Sequence, residues 1–164
     1  MSVLLVMFLT VSQSLLGSIA LNEVNRESAL AQDGMRAMLE ELEGTGEFET
    51  VFSRYNSDPT DDPPLGASPG DGFAVPGLDP LPTDPDGLVG EIVFPTLDTA
   101  GGLELREDLN LPELGMPRDL DGLNGVDGFD HDEDYRLLPV LLRIEWQGQS
   151  GTRRAETRTM LADR

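Results

Sequence analysis

The chain predicts an α+β fold: a long N-terminal membrane-spanning α-helix packed on a small antiparallel β-sheet, with long acidic loops. Three observations carry this expectation. The first 22 residues hold no charged side chain, and an apolar stripe at helical spacing follows them. The last 30 residues alternate apolar and polar character around a Gly-rich turn, as a hairpin does. The middle is rich in Pro, Gly and Asp, which hold no regular element for long.

The opening run passes from Val3 through Phe8, Val11, Leu15 and Ile19 to Leu21. Roughly 20 apolar residues at about 1.5 Å each span a hydrocarbon core of about 30 Å. Thr10, Ser12, Ser14, Gly17 and Ser18 interrupt the run and suit close packing on other helices. Val24, Ala31, Met35, Met38 and Leu42 continue it as one stripe. Gly44-Thr45-Gly46 stops the helix. The expectation is one rod from about Val3 to Glu43, with 1–21 in the membrane and 22–43 amphipathic. Two alternatives stand beside it: a break near Asn22, and a secretory signal cleaved after Ser18-Ile19-Ala20.

A β-rich extracytoplasmic head would occupy 44–164. Glu47 to Tyr55 places Phe48, Val51, Phe52 and Tyr55 on one face of a short helix. Residues 56–86 form a Pro/Gly/Asp-rich loop, with Phe73-Ala74-Val75 as a strand-like island. Gly87 to Phe94 and Leu103 to Glu107 read as strands. Tyr135 to Trp146 is the strongest strand, with Leu138, Val140, Leu142, Ile144 and Trp146 on one face. It turns at 147–151 and returns over Thr152 to Leu161, where arginines can face Glu145. Pro139 marks an edge or a bulge.

Composition narrows the chemistry. The net charge is −20, so no basic face for nucleic acid is expected. Cysteine and lysine are absent and His131 is the single histidine. Disulfides, thiolate metal sites, P-loops and Schiff-base lysines are therefore excluded, and no catalytic site is expected.

The chain resembles the type IV pilin-like superfamily, in particular minor pseudopilins of type II secretion and minor pilins. Leu15-Leu16-Gly17-Ser18, the stretch Leu21 to Ala31 and Met38 to Leu42 carry the likeness, with the strands Tyr135–Trp146 and Arg154–Leu161. The resemblance implies a structural subunit, anchored once in the bacterial inner membrane before assembly. Its N-terminus would be cytoplasmic, its head periplasmic, and its partners other pilin-like subunits met through the N-terminal helix. Members open with a basic leader and carry a glutamate near the start of the apolar run. This sequence begins inside that run, which points to a start placed downstream of the true one.

The segment Asp119 to Asp130 resembles the calcium loops of dockerins and EF-hands, with ligands at positions 1, 3, 5, 7, 9 and 12. Asp119, Asp121, Asp127 and Asp130 fall at 1, 3, 9 and 12. Gly125 offers a carbonyl at 7, and Asn124 sits one place beyond Leu123 at 5. Seven carboxylates crowd residues 119–134, and a structural Ca2+ would relieve their repulsion. The alternative is a solvated acidic loop with His131 on the surface. A calcium-dependent binding or adhesion module is thus the rival to the structural subunit.

Overall fold

A computed structural model of the chain describes residues 2–58, 69–123, 125–149 and 151–163, with side chains from Gly17 onward. The first element is one helix, α1 (Ser2–Gly44), with no break at Asn22. Glu27, Ala31, Met35, Met38 and Leu42 are buried, at the spacings of a single helical face. Residues 17–22 are exposed, Ile19 and Leu21 by more than 60%. The helix therefore has two regimes: its second half lies on the head, and its first half runs beyond it.

Among the described residues no helix is long and apolar enough to cross a membrane. The side chains of 1–16, where most of the expected span falls, lie outside those described. What the structure gives is an α+β chain, one long helix with antiparallel sheets.

A 3-10 turn (Phe48–Thr50) leads into α2 (Val51–Tyr55). Tyr135 fixes this turn from across the chain. Its hydroxyl donates to the Phe48 carbonyl at 2.6 Å and accepts from the Phe52 N–H at 3.2 Å. Burial pushes the Tyr135 phenol up to about 12, so it stays a donor throughout the working range of pH.

The strands are β1 (Gly72–Phe73), β2 (Gly90–Val93), β3 (Thr96–Thr99), β4 (Gly102–Leu105), β5 (Leu137–Gly148) and β6 (Gly151–Ala162). One sheet has the order β1-β2-β5-β6, all antiparallel, and β3 and β4 form a separate ribbon. The long hairpin runs from Leu137↔Ala162 to Gly148↔Gly151. The alternation read from the sequence is realised: Leu138, Val140, Leu142, Ile144 and Trp146 are all buried. Arg154 reaches Glu145 across the hairpin at 3.4 Å. Pro139 sits in a central strand, yet β2 pairs only as far as Leu141. Its missing N–H therefore takes no bond from that side of the ladder.

Helix α1 lies against β5 and β6. Trp146 Nε1 donates to Glu27 Oε2 at 3.2 Å, and Arg153 Nε stands 3.4 Å from the same oxygen. A buried carboxylate on an apolar stripe needs such partners. Nearby, Val75 presses onto Gly34, the residue that reads as a weak point of the helix. A Cβ at Gly34 would stand 2.6 Å from Val75 Cγ2. Glycine is retained here for close approach, against a helix preference of about 1 kcal/mol for alanine.

Gly34→Ala is therefore expected to destabilise the fold, by about 1–3 kcal/mol from overpacking. Thermal or urea melts of Gly34→Ala, Val75→Ala and the double variant check it. The double loss should fall short of the two single losses added, because the two side chains share one space.

Candidate metal centre

The acidic segment after β4 is built around a buried glutamate. Glu107 is fully buried. Its Oε1 accepts from the backbone N–H groups of Leu120 and Asp121, and its Oε2 from that of Asp127 at 3.2 Å. Hydrogen bonds to a charged group are worth about 1.5–3 kcal/mol each. One side chain thus holds both ends of the loop 120–127.

The aspartates around it act first on their own backbone. Asp121 Oδ1 accepts from Leu123 N–H at 2.8 Å, and Asp127 Oδ1 from Phe129 N–H at 2.8 Å. Asp119 Oδ1 accepts from Gly122 N–H. These side chains mimic backbone turns, which is why Asp recurs at short intervals here. Asp130 ties the loop to β4: its Oδ1 accepts from Leu105 N–H at 2.9 Å, while His131 N–H donates to the Leu105 carbonyl at 2.9 Å.

His131 corrects an expectation. It is buried, not on the surface. Its Nδ1 lies 3.0 Å from Asp134 Oδ1 and its Nε2 lies 3.3 Å from Asp127 Oδ1. Glu107 Oε2 and Asp121 Oδ2 follow at 3.9 Å. A carboxylate stands at each ring nitrogen, an arrangement that favours the protonated ring, in which both nitrogens donate. Burial opposes its charge, but the Asp134 hydrogen bond, the Glu107 charge and the Asp127 hydrogen bond outweigh it. The pKa is raised above the ordinary imidazole value. When protonated, His131 supplies part of the positive charge that the carboxylates require.

Three overlapping triads bring ligand atoms within 4.8 Å of one another: Glu107/Asp119/Asp121, Glu107/Asp127/His131 and Asp121/His131/Asp134. These acidic and histidine groups, of which Glu107, Asp121 and His131 are buried, could hold a metal ion. The first triad offers only carboxylate oxygens, the donor set of a hard cation. The other two mix oxygen with imidazole, and a metal there would displace a proton from His131.

Of the residues singled out in sequence, Asp119, Asp121 and Asp127 belong to these triads. Asp130 is turned to the β4 backbone instead, and Gly125 lies on the exposed part of the loop. Asn124 falls outside the described residues. Glu107, which joins two triads, was missed because it precedes the loop by a dozen residues. Its only signal was an acid at the end of a strand that otherwise alternates.

No family model, curated protein or solved structure matches this chain. The arrangement is therefore read from its own geometry alone.

The raised His131 pKa has a consequence for stability. Its contribution is fully present below the unfolded value of about 6.5 and is lost as pH rises through the higher folded value. With one histidine and neither cysteine nor lysine, no other side-chain type here ordinarily titrates in that window. Thermal midpoints should fall as pH is raised from about 6 to about 9, and His131→Gln should flatten that slope while lowering stability at pH 6.

Proposed function

We propose that the chain is a pilin-like structural subunit, a minor pilin or pseudopilin of a type II secretion or type IV pilus system, with no catalytic role. The division of α1 carries this reading. Among the described residues Glu27 is the buried residue of the stripe nearest the N-terminus, and from it back to Ser2 the helix runs roughly 37 Å. That length exceeds a hydrocarbon core of about 30 Å, and the sequence over it is apolar up to Leu21. Before assembly the apolar half lies in the bacterial inner membrane, N-terminus cytoplasmic and head outside. After assembly it packs on the helices of other pilin-like subunits, where Gly17 and Ser18 allow close approach. The head, fixed to the second half, faces outward.

Membrane fractionation of the tagged full chain in a bacterium tests the anchor. The chain should stay in the pellet after an alkaline wash. Val6→Arg with Leu9→Arg should release it, since each arginine costs about 2.5–3.5 kcal/mol at the centre of a membrane helix. A native chain recovered from the wash would overturn the reading.

One observation favours a second function: the oxygen triad Glu107/Asp119/Asp121. On this reading the head is a calcium-dependent binding or adhesion module, the ion bracing the loop through the same groups that already fold it. At calcium 100 times Kd the native state gains about 2.7 kcal/mol. The thermal midpoint should rise by several degrees at millimolar calcium, and Asp121→Asn should abolish the rise. An unchanged midpoint would remove the calcium reading and leave the helix argument intact.

A further inference from the structure

His131 makes one corner of the acidic cluster different from the rest. The ring is 3% exposed, and each of its nitrogens stands against two carboxylates. Nδ1 has the nearest of them, Asp134 Oδ1 at 3.0 Å. In the neutral ring this contact holds the single proton on Nδ1. The Nε2 lone pair is then left facing Asp127 Oδ1 at 3.3 Å and Glu107 Oε2 at 3.9 Å. All three atoms are acceptors, and among the described residues no donor reaches Nε2. A buried nitrogen in that position is orphaned unless a cation lies between it and the two oxygens.

Spacing and donor type say which cation fits. Two ligands about 2.1 Å from a zinc ion at the tetrahedral angle stand about 3.4 Å apart. Nε2 and Asp127 Oδ1 match that separation, and Glu107 Oε2 has about half an ångström to close. Each oxygen accepts one backbone N–H and keeps a lone pair for a metal. Imidazole with two carboxylates is a donor set for zinc, whereas calcium takes oxygen alone, from about six to eight ligands. The partner of Nδ1 also belongs to such a site. A metal-ligating histidine usually donates its other N–H to a carboxylate, which fixes the ring, and Asp134 is so placed. The Asp127 side chain is half exposed, so the ion enters from solvent and a water completes its shell.

We propose that Glu107 Oε2, Asp127 Oδ1 and His131 Nε2 bind one divalent ion of the zinc class, with Asp134 positioning the histidine. This goes beyond the calcium reading, whose ligands are Glu107, Asp119 and Asp121 and whose donor set is oxygen only. Zinc takes the place of a proton on Nε2 and leaves the Nδ1 proton where it is. Glu107 follows β4, while Asp127 and His131 lie at the far end of the acidic loop, so the ion clamps the two together. The backbone bonds of Glu107 already bring them within reach. The site lies wholly in the head and does not depend on how α1 is used.

The single histidine permits a direct test, because one ring gives every imidazole signal. The full chain, on a histidine-free tag, is labelled with 15N-histidine and held in non-ionic detergent at about pH 8, where the metal competes best with the proton. Millimolar magnesium fills diffuse carboxylate sites. One equivalent of Zn2+ should move the Nε2 resonance to a metal-bound position and leave Nδ1 protonated. Asp127→Asn can still accept the Phe129 N–H and should weaken zinc binding by about tenfold or more. Asp134→Ala should weaken it about 10–100-fold and shift the Nδ1 resonance of the bound ring. The wild-type titration decides the matter even where a variant does not fold. An Nε2 resonance unmoved by Zn2+, binding through Nδ1 instead, or equal affinity in a folded Asp127→Asn chain would overturn the proposal. The calcium reading is judged by a different ion and by Asp121→Asn, so the two failures are distinguishable.

Discussion

The head exists because β5 has a face that only a helix can cover. Leu138, Val140, Leu142, Ile144 and Trp146 point to one side of the sheet, and burying five such side chains is worth about 1.5–3 kcal/mol each. Ala31, Met35, Met38 and Leu42 on α1 share that core. Neither element is stable alone: a two-stranded ribbon is marginal in water, and so is a helix without packing. Their mutual burial sets the position of everything else. Glu27 marks where this contact ends, because Trp146 and Arg153 meet it at the hairpin turn.

Charge is handled by a second, independent device. Most acids of the middle segment lie at the surface, where their mutual repulsion is screened. Glu107 does not, and its burial is tolerated because three backbone N–H groups converge on it. His131 then places a ring whose pKa is raised among Glu107, Asp121, Asp127 and Asp134. Proton and metal would compete for the same carboxylates. A proton on His131 partners them below its raised pKa; a cation becomes the better partner once that proton is lost.

These two devices were unequally legible in the sequence. The helix and the long hairpin follow from period alone, because side chains at spacings of 3–4 or 2 state their face directly. The single helix and the buried side of β5 follow from the pattern, as does a pairing of Glu145 with an arginine of the return strand, which the structure makes Arg154. Strand β3 was not, since Thr96–Thr99 is mostly exposed and carries no alternating apolar signal. The strand β1 shrinks to two residues because Val75 is drawn to Gly34 on the helix rather than to the sheet. In the acidic loop, the structure brings Asp119, Asp121 and Asp127 into carboxylate and histidine clusters, while Asp130 accepts from the β4 backbone. A linear ligand pattern does not record that Glu107 and His131 enter from outside it. Only tertiary contact shows that, and burial of a histidine has no sequence signature of its own.

The exposed stretch of α1 follows from the same geometry. The sheet is four strands wide, and β5 and β6 end at the turn between Gly148 and Gly151. Past that turn the described helix residues 17–22 are all exposed, and the helix continues back to Ser2. Ile19 and Leu21 are bare for this reason, not for want of hydrophobicity. Adding strand length would cover a few more turns but would shorten the free rod. A chain that folds a hairpin of two twelve-residue strands over only half of its longest helix has a fixed division between the buried face of that helix and its exposed residues 17–22. The pairing of Glu27 with Arg153 sharpens that division, because sliding the helix by one turn would carry a carboxylate into an apolar core without a partner.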